Sequence, residues 1–293
     1  MNNQELLPIV SVCSTTFNNA PYTRQCLDGI LMQITSFPFE VIINDDCSTD
    51  GTTEILREYE KKFPGVVKPI YHEENLYSKG IRGLYRNFCF PKAKGKYIAC
   101  CDGDDYWTDP LKLQKQYDIM EANPQFVLCH HNYRVLNNET GIIVDNKTKV
   151  PSVMDLAKAA SHGYIHNSSM FFRNLDIELI PSEIKFPYTP YQYFWALRLA
   201  EFGDIYYIDE AMEVYRVHSG GTFNGSSQRK KIDMSLGNLT NMVLWYEYRK
   251  KPQVVRNLKK RARTQIYYYM LSSLKHLNLN VFLYLMNWYK NFI

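Results

Sequence analysis

Tyr97-Ile-Ala-Cys-Cys101 runs directly into Asp102-Gly-Asp-Asp-Tyr-Trp107. The first five residues form an apolar, strand-like run, and three carboxylates crowd its end. Such carboxylates repel one another unless something positive sits among them. A divalent cation shared with diphosphate oxygens resolves the conflict. Mg²⁺ or Mn²⁺ takes one or two carboxylates and completes its shell with the diphosphate. A solvated acidic turn leading into the next helix, with Asp109 and Pro110 at its start, accounts for the same residues equally well.

Working outward, the same grammar recurs upstream. Pro8-Ile-Val-Ser-Val-Cys13 reads as a strand ending in the polar turn Ser14-Thr-Thr-Phe-Asn-Asn19. Phe39-Glu-Val-Ile-Ile43 is a second strand, ending in Asn44-Asp-Asp-Cys-Ser-Thr-Asp-Gly51. Between them Cys26, Leu27, Ile30 and Leu31 recur at helical spacing. Ser48 or Thr49 is placed to cap a helix through Ile55, Leu56 and Tyr59, and Val66 to Tyr71 reads as a third strand. Strands alternating with helices predict an α/β fold with a mostly parallel sheet. Ligands of such sheets sit beyond the carboxyl ends of strands, so three polar strand ends fall along one edge of one crevice.

Downstream, a helix over 111–122 stops before Pro124, and a strand covers 126–130. A helix over 154–160, a Ser/Asn/aromatic segment over 166–172, a helix over 193–202 and a strand over 205–208 follow. Tyr215-Arg-Val-His-Ser-Gly-Gly221 closes this portion. From Gln228 the character changes to long helices carrying Lys and Arg and then aromatics. Two domains are therefore expected, 1–222 and a helical extension over 223–293. In the extension, the basic run 250–263 precedes an aromatic and aliphatic stretch, 267–293. That stretch either lies on an anionic membrane interface or packs on the catalytic domain or a second subunit.

Other candidate residues carry paired readings. Asp45-Asp46 either forms an Asx-turn and helix cap, a job open also to Ser48 and Asp50, or accepts from a base N–H or ribose hydroxyl. Arg86, with Lys79 and Arg82 upstream, either suits a diphosphate or forms a solvated basic face. Arg216 and His218 either are structural or bring a neutral imidazole to a carboxylate metal site.

Composition narrows the classes. The 293 residues are 45% hydrophobic, enough for a sizeable core, and the formal net charge of +4 does not itself point to nucleic acid. The cysteine count of seven is odd and has no CxxC pair, which reads as small buried hydrophobes in a reducing compartment. The polar, acidic first seven residues show no signal peptide, and no window is apolar enough to span a bilayer. A cytoplasmic protein, with membrane contact at most peripheral, is the expectation.

Five motifs in order resemble the family 2 glycosyltransferases, which have the GT-A fold, over about residues 8–222. They are Val10-Ser-Val-Cys-Ser-Thr-Thr-Phe-Asn18, Asn44-Asp-Asp-Cys-Ser-Thr-Asp-Gly-Thr52, Tyr85-Arg-Asn87, Tyr97 to Asp105, and Tyr215 to His218. The run Gly103 to Gln116 is similar to bacterial members that build surface polysaccharides. The resemblance implies an inverting transfer from a nucleotide diphosphate sugar, with UDP as the carrier, to a glycan or lipid-linked acceptor. It implies Thr15 and Thr16 against the nucleoside, Asp46 reading the base, Arg86 supporting base or diphosphate, and Asp102 on the ribose or donor sugar. Asp104 would bind Mn²⁺ or Mg²⁺, with His218 joining it.

One position departs from the pattern. The family's general base, an Asp, matches Gln192 within Tyr191-Gln-Tyr-Phe-Trp-Ala-Leu-Arg-Leu-Ala200. A neutral amide does not take a proton in a useful pH range. His162, His166 and Glu183 are the nearest titratable alternatives in sequence. The departure keeps open a sugar-nucleotide-binding protein with little transferase activity. A nucleotidyltransferase would need a Gly-rich, cationic phosphate loop after the first strand, and Ser14 to Asn19 has neither Gly nor cation.

Overall fold

The computed structural model describes residues 7–163, 165–177, 192–275 and 278–292. They group into two compact units. The first holds Met1–Val153, Ile165–Ile177 and Phe202–Val217; the second holds Met154–Tyr164, Glu178–Glu201 and His218–Ile293. The sequence reading makes one cut, at residue 222, whereas these units share the chain at several points.

In chain order the elements are β1 (Val10–Thr16), α1 (Ala20–Leu31), β2 (Phe39–Asp45), α2 (Thr52–Lys62), β3 (Val67–Tyr71), β4 (Tyr97–Cys100), β5 (Tyr106–Trp107), α3 (Lys112–Ala122) and β6 (Phe126–Asn137). Then come β7 (Ile143–Asp145), β8 (Val153–Met154), α4 (Leu156–His162), β9 (Phe171–Arg173), α5 (Gln192–Leu199), β10 (Asp204–Val217), α6 (Gln228–Tyr248), α7 (Pro252–Lys275) and α8 (Leu279–Phe292).

The first unit is built on a sheet with the path β3-β2-β1-β4-β9-β6-β10-β5. Its leading four strands are parallel, in register Val10 with Phe39 and with Tyr97, and Val41 with Val67. They are buried on both faces: Val10, Val12, Val41, Ile43, Tyr97 and Ala99 share one face, and Cys13, Ile42, Ile98 and Cys100 the other, as parallel strands covered on both sides require. The sheet is mixed beyond β4, since β9 runs antiparallel to both β4 and β6 while β10 is parallel to β6. Six of the seven cysteines are buried and all are free thiols, so they pack as small apolar side chains.

Two local expectations change. The helix expected to be capped by Ser48 or Thr49 starts later, at Thr52, with Gly51 at its N-cap. Ser48 is drawn back instead, its amide and hydroxyl both donating to Asp45 Oδ1. The strand expected over 205–208 runs on to Val217, because shifts of register between Ile208 and Glu213 absorb Asp209 and Glu210 as bulges.

The second unit is helical. One face of α7 is buried through Val254, Leu258, Ala262 and Ile266, four residues apart, and α7 packs against α4, α6 and α8. Tyr246 Oη donates to Leu197 O at 2.9 Å and Trp245 Nε1 to Glu201 Oε1 at 3.0 Å, tying α6 to α5 and the residues after it. Arg261 stacks on the Tyr193 ring at 4.5 Å.

Candidate active site

The carboxyl edge of β1 is the spine of the site. Its ladder continues past the strand ends, with Asp46 N donating to Thr16 O at 3.0 Å and Gly103 N to Thr15 O at 3.0 Å. Thr15 and Thr16 thus lie between the Asp46 turn and the Asp102–Asp105 turn. Gly103 is glycine for lack of room: a Cβ there would meet Thr16 Cβ at 2.7 Å and Thr15 O at 2.8 Å. Gly29 in α1 faces the Trp107 backbone, whose oxygen a Cβ would meet at 2.8 Å, so its lack of a side chain lets α1 lie close to β5.

The three carboxylates of the turn have different surroundings. Asp105 is buried, accepting from Arg216 N at 2.8 Å and Ser168 Oγ at 2.8 Å, one bond on each oxygen. Burial pushes its carboxyl well above the usual range, helped by the charges of Asp104 and Asp102 and opposed by His166. Asp102 Oδ1 accepts from Tyr85 Oη and from Asn167 Nδ2, both at 2.7 Å. Enclosure by protein, then the Asp104 charge, push Asp102 up to about 6 against those donors. Asp104 is half-buried, and its carbonyl accepts from Arg216 Nε at 2.9 Å.

Ser168, which carried no role in the sequence reading, and Arg216, read there as structural or beside a metal site, hold this turn. Ser168 also takes a bond from Asp102 N at 2.9 Å, and its carbonyl accepts from Trp107 Nε1 at 2.9 Å. Arg216 spreads its guanidinium to Asn138 Oδ1 and Gln25 Oε1 and stacks on Tyr22 at 4.6 Å. Behind the turn lies a buried ionic group. His166 Nδ1 is 2.6 Å from Glu213 Oε1, and its Nε2 is 3.7 Å from Asp105 Oδ2. The imidazole packs against the rings of Tyr133 and Tyr215, which also touch each other. Burial works against a charged imidazole, but Glu213, then Asp105 and Asp102, outweigh it and push His166 up to about 9. Lys112 is buried nearby, its ammonium 3.9 Å from the Trp107 ring and 2.8 Å from Gln116 Oε1; burial lowers it to about 8 against the pull of Glu213.

The expected site residues therefore divide by place. Thr15, Thr16, Asp46, Arg86, Asp102 and Asp104 belong to the first unit; Gln192 and His218 belong to the second. Asp46 is buried, and its two oxygens accept from Leu76 N at 2.8 Å and Tyr77 N at 3.0 Å, so it fixes the loop after β3. Arg86 sits in a π-helical turn, Tyr85–Cys89, that packs against β1 and β2, and burial lowers its pKa. The paired reading of Asp45 resolves to the turn: it holds Ser48 and Thr53, while Asp50 takes the Ala20 and Thr52 amides. His218 is half-buried at the head of the Gly220-Gly221 turn. The Gln192 side chain and Glu183 lie outside the described residues. Of the other base candidates, the charges of Glu213, Asp105 and Asp102 favour the protonated form of His166, and burial keeps His162 below its usual pKa.

Among the described residues, no group of three or more His, Cys, Asp or Glu side chains is arranged to hold a metal ion. The edge nevertheless suits a cation that asks little of the protein. Its donors are hard carboxylate oxygens, it carries enough negative charge to help raise Asp102, and the Thr16 hydroxyl is buried beside it with no hydrogen-bond partner among the described residues.

The pattern described as "Glycosyl transferase family 2" matches residues 11–180, more than half of the chain. The chain belongs to that family. An uncharacterised protein of Mycobacterium tuberculosis is 35% identical over 229 residues, 76% of this chain. The match spans 63% of that relative's length. A Bacillus subtilis chain named for teichuronic acid biosynthesis, the glycosyltransferase TuaG, is 40% identical over 114 residues, covering 39% of this chain and 42% of its own. Among solved structures, S. aureus TarS 1-349 in complex with UDP-GlcNAc superposes with a TM-score of 0.55 at 16% identity, covering 96% of this chain and 91% of that one. The mannosyltransferase PcManGT of Pyrobaculum calidifontis, solved with GDP-Man and Mn²⁺, has a TM-score of 0.55 at 16% identity, covering 98% of this chain and 84% of its own. These likenesses give the family 2 chain the GT-A-like fold, a mixed α/β sheet with C-terminal helices.

Proposed function

We propose that this glycosyltransferase is inverting and metal-dependent, and moves a sugar from a UDP-sugar to a glycan or lipid-linked acceptor in surface polysaccharide synthesis. The observation that carries the reading is the carboxyl edge of β1 and β4. There Thr16, Asp102 and Asp104 are brought together on a turn braced from several sides, with a surplus of negative charge. Thr15 and Thr16 face the nucleoside. Asp46 sets the Asn75–Tyr77 loop, whose amides it holds, against the base. Asp102 meets the ribose or donor sugar, and Arg86 faces the diphosphate. Asp104 would hold Mn²⁺ or Mg²⁺, with His218 as a further candidate ligand. Held there, such an ion would supply positive charge to a departing diphosphate. The protein's part is to place the donor against rigid, preorganised groups. The relative named for teichuronic acid biosynthesis supports the acceptor class, and the TarS complex supports UDP. We place the enzyme at the cytoplasmic face of the membrane.

Gln192 favours one second reading, a sugar-nucleotide-binding protein with little transfer. Calorimetry with UDP and Mn²⁺ on the full chain and on Asp104→Ala, together with a UDP-sugar hydrolysis screen, tests both. The first reading expects Mn²⁺-dependent UDP binding, lost in the variant, and donor turnover. Binding without turnover selects the second reading. Unchanged affinity in Asp104→Ala removes that residue from the site.

A further inference from the structure

The charge of this chain is segregated. After Glu247 the sequence contains ten Lys and Arg and no Asp or Glu. The residues up to Glu247 hold the other 24 Lys and Arg and all 30 Asp and Glu, a net −6. The positive charge is thus confined to the end of α6 and the helices after it.

The structure sorts this segment further. On α7, Arg256, Lys260, Arg263, Tyr267, Leu271 and Leu274 follow one another at spacings of three and four and fall on one stripe. It lies opposite the buried face of Val254, Leu258, Ala262 and Ile266. The first half of the stripe is cationic. The second half is apolar and exposed, with Tyr267 at 59%, Leu271 at 46% and Leu274 at 51%. On α8, Leu279, Leu283 and Met286 form a second exposed apolar stripe at the same spacing, ending at Lys290, while Leu285 and Trp288 are buried. At the start of α7, Lys250, Lys251, Arg256 and Arg263 line an open groove with Tyr246, Pro252 and Val255, and its one acid, Glu247, is paired with Lys259.

We propose that this face of α7, continued by α8, docks on an anionic lipid surface. The inference deepens the membrane-contact reading above by naming the surface. Cations and large apolar side chains in sequence along one helix face fit an interface where phosphate headgroups lie beside acyl chains. The groove offers the headgroup phosphates several cations at once. A nucleic acid or acidic protein would use the cations alone and leave Leu271, Leu274, Leu279 and Leu283 in water. No helix among the described residues is long and apolar enough to cross a membrane, so the contact lies in the plane of the surface.

The test is sedimentation of the full chain with phosphatidylcholine vesicles, with and without phosphatidylglycerol, beside two variants. One is Arg256→Glu/Lys260→Glu/Arg263→Glu and the other is Leu271→Ser/Leu274→Ser. Each interfacial cation contributes about fivefold to partitioning, so the first variant should lose binding to the mixed vesicles by about a hundredfold or more. Removing the leucines should lower it about tenfold or more. Pure phosphatidylcholine should bind little. The proposal falls if the natural chain ignores mixed vesicles or if charge reversal leaves binding unchanged. It also falls if binding needs the cations but not the leucines, which would mark a general polyanion surface. Melting curves, and UDP-sugar hydrolysis without vesicles, report the fold and the donor reaction separately. If charge reversal destabilises the chain, Arg256→Gln/Lys260→Gln/Arg263→Gln asks the same question with no charge of opposite sign. Failure to dock with intact hydrolysis refutes only the surface, and absent hydrolysis with intact docking refutes only the donor reading.

Discussion

Gly103→Ala should disable the donor edge while adding only one methyl group. The backbone at Gly103 is not left-handed, so alanine meets no torsional penalty there. The obstacle is space. The new Cβ would lie 2.7 Å from Thr16 Cβ, 2.8 Å from Thr15 O and 2.8 Å from Thr16 Oγ1. Carbon atoms at rest sit about 3.5–4.0 Å apart, so the turn must retreat from β1 by roughly 1 Å. Neither Thr15 O nor Thr16 Cβ can rotate away, because both are fixed by the β1 backbone. The retreat stretches the 3.0 Å bond from Gly103 N to Thr15 O and carries Asp102 and Asp104 with it. Overpacking of this kind costs about 1–3 kcal/mol. At about 2–4 °C per kcal/mol for a unit of this size, the melting temperature should fall by about 2–12 °C. A displacement of about 1 Å at reacting groups costs about a hundredfold in rate, so UDP-sugar turnover should fall by about that factor, with the protein still folded. Thermal melting and donor hydrolysis on the same preparation measure both. A variant that melts within about a degree of the natural chain and turns over donor at its rate would refute the close-approach argument.

Two further outcomes follow from the same turn. Ser168→Ala removes the hydroxyl bonded to Asp105 Oδ2 and Asp102 N, leaving a buried carboxylate short of a donor, and should lower stability by about 1.5–3 kcal/mol in denaturant unfolding. His166, pushed up to about 9, stabilises the fold in full below about pH 6.5 and loses that contribution as pH rises through about 9. The unfolding free energy from denaturant titrations should therefore decline between those limits, by roughly 3 kcal/mol in all, and His166→Gln should flatten that decline.

Much of the edge was legible because local patterns encode it. An apolar run ending in Asp102-Gly-Asp-Asp105, and another ending in Asn44-Asp-Asp46, can be read without knowing what they touch. The braces were not legible. Tyr85, Asn167, Ser168 and Arg216 reach the turn across long stretches of sequence, Glu213 acts on it only through His166, and no periodicity marks such pairs. Arg216 drew notice beside His218, and His166 only as a candidate base. Only their partners, Asp105 and Glu213, show that they serve the turn from behind. The reason for Gly103 was hidden likewise, since glycine in an acidic loop reads as a turn former and the wall it meets belongs to β1. At β10 the pattern misled, because the polar Asp209-Glu210 reads as a strand end and is a bulge.

The bracing of the turn also sets an order of events during synthesis. The parallel strands β1 to β4 are complete once residue 100 has left the ribosome, and the three carboxylates follow at once. Apart from Tyr85, their partners come much later: His166, Asn167 and Ser168, and last Arg216. Until then the carboxylates face water as charges, which suits them, and mutual repulsion opposes closing the turn early. Contacts that join distant parts of the chain form only after the intervening loops have closed. A nascent chain stopped before β10 would thus hold the sheet half without a working donor edge, and the edge would mature in a single late step when the last strand slots beside β6.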